Sequence, residues 1–134
     1  MSKLRVLLAD DHREICTLVS HILEPASEIV GSVGDGQALL EAAAKLKPDV
    51  IVLDISMPVL NGIEAAVKLK ESGSTSRVVF LTAHADPDFI KACLATGALG
   101  YVFKVRMERD LLPAIHEALK GRAFVSSIPA PEPV

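Results

Sequence analysis

Short unbroken apolar runs, each ended by a polar residue, are the feature that most constrains this chain. The plainest is Val50–Leu53, in the stretch Pro48-Asp49-Val50-Ile51-Val52-Leu53-Asp54-Ile55-Ser56-Met57-Pro58-Val59-Leu60-Asn61-Gly62. Four consecutive aliphatic residues without polar alternation mark a strand buried on both faces, as in a parallel sheet covered by helices on each side. Asp54 ends that run, and Met57-Pro58 forces the chain out of any regular element. Ligand chemistry in open α/β sheets gathers at the carboxyl ends of the strands, so Asp54 is the leading candidate for a reacting group.

The same grammar repeats along the chain. Leu4 to Ala9 reads as a first strand, followed by Asp10-Asp11-His12, with Asp10 or Asp11 expected to cap the next helix. That helix carries Ile15, Leu18, Val19, Ile22 and Leu23 at helical spacing and closes at Glu24-Pro25. Glu28 to Val33 is a second strand, and Asp35-Gly36 caps a helix lined by Ala38, Leu39, Ala42, Ala43 and Leu46. Asn61-Gly62 starts a third helix, ended by Gly73. Val78 to Leu81 is a fourth strand, closed by Thr82. Asp86-Pro87 opens a fourth helix that Gly97 ends. Leu99 to Phe103 is a fifth strand, ending at Lys104. The last helix carries Leu111, Leu112, Ile115 and Leu119. Pro113 inside it predicts a kink or a late start.

Five strands alternating with five helices predict a doubly wound α/β sandwich of the (βα)5, flavodoxin-like kind. Its parallel sheet should run in the order 2-1-3-4-5, with a crevice between the first and third strands. Residues 1–122 form the expected domain, and 123–134 a proline-rich tail or linker that buries little.

Half of the 134 residues are hydrophobic, enough for one domain with a core. A net charge of −3 argues against direct nucleic-acid binding by this segment. The apolar runs are strand-sized, which predicts neither a membrane span nor a secretory signal. Cys16 and Cys93 form no metal-ligand spacing with the histidines and read as reduced thiols of a cytoplasmic protein.

In this layout the strand ends bring Asp10, Asp11, Asp54, Thr82 and Lys104 to one edge. Clustered carboxylates repel one another and call for a cation. An all-oxygen donor set suits Mg²⁺ or Mn²⁺, and three carboxylates, one ammonium and one divalent ion sum to zero charge. Phosphoryl transfer asks for this kind of positioning and neutralisation, and a carboxylate can serve as its nucleophile. Singly, each residue has a bland reading: Asp10 or Asp11 as a helix cap, Lys104 as a solvated charge, Thr82 as a local backbone binder. Their joint arrival at one sheet edge favours the site. His84 borders it and is placed to tune water access. His12, His21 and His116 read as helix residues without a role there.

Asp10-Asp11, Asp54 with Met57-Pro58 and Gly62, Thr82-Ala83, and Gly100-Tyr101-Val102-Phe103-Lys104 resemble the response regulator receiver domain of two-component signalling, over residues 3 to 122. Leu7-Leu8-Ala9-Asp10-Asp11-His12 and Gly121-Arg122-Ala123-Phe124 look like the subfamily that carries a LuxR-type helix-turn-helix output domain. No such domain follows in the sequence, which leaves a stand-alone and an excised receiver both open.

The resemblance implies that Asp54 takes phosphate from a sensor histidine kinase or a small acyl phosphate. It implies Mg²⁺ held by Asp10, Asp11, Asp54 and the Ser56 carbonyl, phosphate contacts from Thr82, Ala83 and Lys104, and a switch pair of Thr82 and Tyr101. The face of the fourth helix, fifth strand and fifth helix would then change its partner preference, toward an output domain, a downstream protein or a second copy of the chain. Such a protein phosphorylates and dephosphorylates itself and turns over no other substrate. Where many receivers have proline after the lysine, Val105 stands here, which predicts a trans bond. Two other classes compete: a binding module indifferent to phosphate, and a flavin or nucleotide enzyme. The latter is disfavoured because Asp-Asp-His, not a glycine-rich cradle, follows the first strand.

Overall fold

The computed structural model describes residues 3–24 and 26–127. Its elements are β1 (Leu4–Ala9), α1 (Arg13–Leu23), β2 (Ser27–Val33), α2 (Gly36–Leu46), β3 (Val50–Leu53), α3 (Gly62–Glu71), β4 (Arg77–Thr82), α4 (Pro87–Ala95), β5 (Gly100–Phe103), α5 (Met107–Leu119) and β6 (Phe124–Val125), with one 3₁₀ turn at Lys104–Arg106. The sheet is parallel throughout, in the order β2-β1-β3-β4-β5-β6. This is the expected doubly wound order with one strand added.

Alternation along each buried strand sends successive side chains to opposite faces, and both faces are apolar. Leu7, Ala9, Ile51, Leu53, Phe80 and Tyr101 pack with α2, α3 and α4 residues such as Leu39, Ala65 and Cys93. Val6, Leu8, Val50, Val52, Val79, Leu81 and Val102 pack with α1 and α5 residues such as Val19, Leu23, Leu111 and Ile115. That partition explains the uninterrupted aliphatic runs. Helix signals hold where expected. Asp35 Oδ1 accepts from the Ala38 N–H at 2.8 Å, and Asp86 Oδ1 accepts from the Asp88 N–H at 2.8 Å with Pro87 opening the helix. Gly73 and Gly97 end their helices at φ +81° and +92°, a conformation that a β-carbon disfavours.

Several expectations need correction. The N-cap of α1 is His12, without a side-chain cap bond; neither Asp10 nor Asp11 takes that place. Leu18, expected in the apolar stripe of α1, is 41% exposed. Helix α5 begins at Met107 and runs through Pro113, so the proline delays no start. Its exposed position leaves the ring in solvent, and tertiary packing of Leu111, Ala114 and Ile115 sustains the helix around it.

Regular structure continues past residue 122. Phe124 and Val125 pair with Gly100 and Tyr101, and Ser126 is buried. The tail thus begins by covering the open edge of β5. The expected proline-rich stretch from residue 128 onward lies outside the described residues.

Candidate functional site

The carboxyl ends of β1, β3, β4 and β5 meet at one edge. Asp54 leaves β3 with its N–H donating to the Ala9 carbonyl of β1 at 2.9 Å, which fixes this candidate residue beside Asp10. Asp54 is 3% exposed, and its Oδ1 accepts from the following Ile55 N–H at 2.8 Å. The Lys104 ammonium reaches across from the end of β5. It lies 3.3 Å from Asp54 Oδ2 and 2.9 Å from Asp10 Oδ2.

The loop after β3 is held tightly. Gly62 N–H donates to the Ile55 carbonyl at 2.8 Å, and a β-carbon at residue 62 would collide with the Asp54 carbonyl, so only glycine fits there. Val59 sits at φ 70°, and Leu60 N–H closes back on the Pro58 carbonyl at 2.8 Å. Such a conformation is strained for a β-branched residue. It belongs to the loop between Asp54 and α3 that also contains Ser56.

The charges are unequal. Burial first, and then the neighbouring Asp10 carboxylate, push the Asp54 carboxyl above its usual range, against the pull of Lys104 and the Ile55 N–H. Burial by itself would lower Lys104, but its close approach to the Asp10 carboxylate and the field of both carboxylates override that and raise it. One ammonium therefore serves two buried carboxylates. The 2.9 Å approach to Asp10 Oδ2 is an ion pair without hydrogen-bond alignment, and this fully buried oxygen has no hydrogen-bond partner among the described residues. Two buried carboxylates sharing one ammonium leave excess negative charge in the pocket, which is what a cation site offers.

The donor set agrees. Ligand atoms of Asp10, Asp11, His12 and Asp54 lie within 4.8 Å of one another. Asp11 is exposed at the rim and Asp10 is buried. The residues present thus fit a divalent ion with a preference for oxygen ligands.

Thr82, fully buried at the end of β4, accepts the His84 N–H on its Oγ1 at 3.2 Å, and Ala83 beside it is exposed. Tyr101 does not reach the acid cluster. Its ring is buried in the sheet core, and its hydroxyl donates to the His84 carbonyl at 2.7 Å. His84 is the junction of this edge. Its ring stacks on Phe89 of α4 with centroids 4.7 Å apart, and its Nε2 lies 2.8 Å from Ser56 Oγ.

Sequence reading missed His12 as a member of the site. Its ring Nδ1 is 2.9 Å from Asp10 Oδ1 and 3.1 Å from Asp11 Oδ1. The available signal was adjacency alone: a residue two after Asp10 that leaves the strand in the same direction.

Residues 6–116 match the family model of the response regulator receiver domain. The nitrate/nitrite response regulator protein NarL of Escherichia coli (strain K12) is 35% identical over 128 residues, covering 94% of this chain and 59% of that protein. The transcriptional regulatory protein PdtaR of Mycobacterium tuberculosis is 38% identical over 116 residues, covering 86% of this chain and 56% of that protein. The chain spans about three fifths of the length of the curated relatives it matches. Among solved structures, the signal receiver domain of the putative response regulator NarL from Mycobacterium tuberculosis superposes with a TM-score of 0.85. It is 31% identical, with 91% of this chain and 100% of that one covered. The isolated receiver domain of RcsB from Salmonella enterica serovar Typhimurium, solved with the phosphomimetic BeF₃⁻, gives a TM-score of 0.84 at 28% identity, covering 93% of this chain and 94% of that one. With its motifs, sheet order and strand-end chemistry in agreement with these proteins, the chain belongs to the receiver domain family of two-component response regulators.

Proposed function

We propose that the chain is a Mg²⁺-dependent phosphoacceptor, with Asp54 taking a phosphoryl group from a sensor histidine kinase or a small acyl phosphate. The observation that carries this reading is the Asp54 carboxylate, buried between the Lys104 ammonium and the under-neutralised Asp10. An Asp54 oxygen attacks phosphorus while the bond from phosphorus to the donor's nitrogen or oxygen breaks and its electron pair leaves with the donor. Lys104 holds one phosphoryl oxygen as a point charge, and the Thr82 hydroxyl and Ala83 N–H meet another. Asp10, Asp11, Asp54 and the Ser56 carbonyl would hold the ion. When bound, it supplies positive charge to the phosphoryl oxygens and offsets the repulsion among the carboxylates.

The hydrogen bonds suggest how the event is passed on. Thr82 and Tyr101 hold the N–H and the C=O of the same residue, His84. A Thr82 hydroxyl drawn toward phosphate releases the His84 N–H, and the loop before α4 shifts against the Tyr101 hydroxyl. The face of α4, β5 and α5 then favours a different partner, an output domain, a downstream protein or a second copy of the chain. His84, joined to Ser56 and stacked on Phe89, tunes water access to the acyl phosphate. The chemistry is confined to self-phosphorylation and autodephosphorylation. A cytoplasmic site of action fits this role, and no helix among the described residues is long and apolar enough to cross a membrane.

The test is intact-mass analysis after incubation with acetyl phosphate or phosphoramidate. One phosphoryl group is expected on Asp54, absent in Asp54→Asn and after chelation of Mg²⁺. Labelling of Asp54→Asn at the wild-type rate overturns the assignment.

A further inference from the structure

We propose that His12 is a ligand of the ion in this pocket, and that its imidazole shifts the preference of the site from Mg²⁺ toward divalent transition ions such as Mn²⁺ and Ni²⁺. The inference rests on the reading of the acid cluster as the metal site. It adds a nitrogen donor to a set otherwise made of oxygen.

Three observations support it. The donor atoms of Asp10, Asp11, His12 and Asp54 all lie within 4.8 Å of one another. His12 Nδ1 is 2.9 Å from Asp10 Oδ1 and 3.1 Å from Asp11 Oδ1. Neighbouring ligands around a six-coordinate ion with bonds of about 2.1 Å are separated by about 3.0 Å, the edge of an octahedron. Independently of the ring, buried Asp10 Oδ2 makes no aligned hydrogen bond and meets only the one ammonium, Lys104, that Asp10 shares with Asp54, so the pair of carboxylates still carries excess negative charge.

The backbone holds the ring where it is. The His12 N–H donates to Asp10 Oδ1 at 2.8 Å, and the His12 carbonyl receives the Ile15 and Cys16 N–H groups at 3.1 and 3.2 Å, the opening bonds of α1. The start of the helix therefore fixes the imidazole over the carboxylates, while the side chain stays 61% exposed to incoming ions.

Imidazole nitrogen discriminates among ions in a way that carboxylate does not. Mg²⁺ prefers oxygen and parts reluctantly with water, whereas affinity for nitrogen rises from Mn²⁺ to Ni²⁺. The competing account has the ring donating hydrogen bonds to the two carboxylates with no share in the ion. It uses the same distances, so binding must decide.

Mg²⁺, Mn²⁺ and Ni²⁺ are titrated calorimetrically into the wild type, His12→Ala and His12→Asn. His12→Asn keeps a good helix cap while replacing the ring. Ni²⁺ affinity is expected to fall by about tenfold or more in both variants, the scale seen when a metal site loses a supporting group. Mn²⁺ should fall less and Mg²⁺ about twofold at most. Pulsed EPR on the Mn²⁺-loaded wild type should show coupling to an imidazole nitrogen that both variants lose. Parallel changes for all three ions, or no nitrogen coupling in the wild type, overturn the inference and leave the metal site standing. Absence of binding by any of the ions in the wild type instead removes the site reading beneath it.

Discussion

Two buried aspartate clusters flank the carboxyl end of β5, and they are built on opposite terms. At Asp110, 7% exposed, one carboxylate oxygen accepts from Ser126 Oγ at 2.7 Å and from Arg106 Nε at 3.2 Å. The Ser126 hydroxyl in turn accepts the Phe103 N–H at 3.2 Å. One carboxylate meets one guanidinium, and the Ser126 hydroxyl, donating to the carboxylate and accepting the Phe103 N–H, is used in both directions. Across the strand end, Asp54 and Asp10 share a single ammonium, and one oxygen has no hydrogen bond. A satisfied buried carboxylate fastens elements together, here β6 to β5 and α5. An under-satisfied one suits a cation and an electrophile, as the proposed phosphoacceptor role requires.

The largest effect should come from taking away the shared cation. Lys104→Met leaves two buried carboxylates facing each other and should cost about 3–5 kcal/mol at neutral pH without metal. Urea denaturation measures it, and a loss below about 1 kcal/mol would mean that the pocket is far better hydrated than its burial suggests. Mg²⁺ acts in the opposite sense. At one hundred times its dissociation constant it should stabilise the wild type by about 2.7 kcal/mol and leave Asp54→Asn much less affected. Thermal unfolding with and without the ion checks this.

The Asp110 cluster gives a smaller effect. Ser126→Ala should cost about 1–3 kcal/mol, because it removes a donor from a buried carboxylate and an acceptor from the Phe103 N–H. It should leave phosphoryl labelling at Asp54 unchanged. If labelling falls with it, the two clusters are coupled and do not act as separate units.

The smallest effect tests the charge imbalance directly. Because the folded-state value of Asp54 is raised, its contribution to stability is present below the unfolded carboxylate range and is lost as pH rises through the folded value. Without metal, Asp54→Asn should therefore match the wild type in acid and exceed it modestly above that window. Denaturation midpoints compared across pH read the difference. A variant less stable than the wild type at neutral pH would show that the carboxylate is adequately paired after all.

Much of this was legible in the chain before any coordinates. Val50–Leu53 announced a strand covered on both faces, and the polar residue after each such run announced the edge where the candidate site gathers, because a parallel sheet aligns those ends. Asp35, Asn61 and Asp86 marked their helix starts through local backbone bonding, which needs no tertiary partner. The misses share one cause. β6 is two residues long, too short for any periodicity, and pairs only because β5 has an open edge. Pro113 spoke against a helix that packing nevertheless maintains. Ser126 takes its place from contacts with Asp110 and Phe103, distant in the chain, that local sequence does not encode.

Sequence alone determined the alternation of elements, the strand order and the set of acids, threonine and lysine at one edge. All of these follow from periodicity and from the rules that join parallel strands. Only the tertiary structure decided which carboxylates are matched and which are left wanting. That balance depends on distance and burial, and neither is written in a run of residue types.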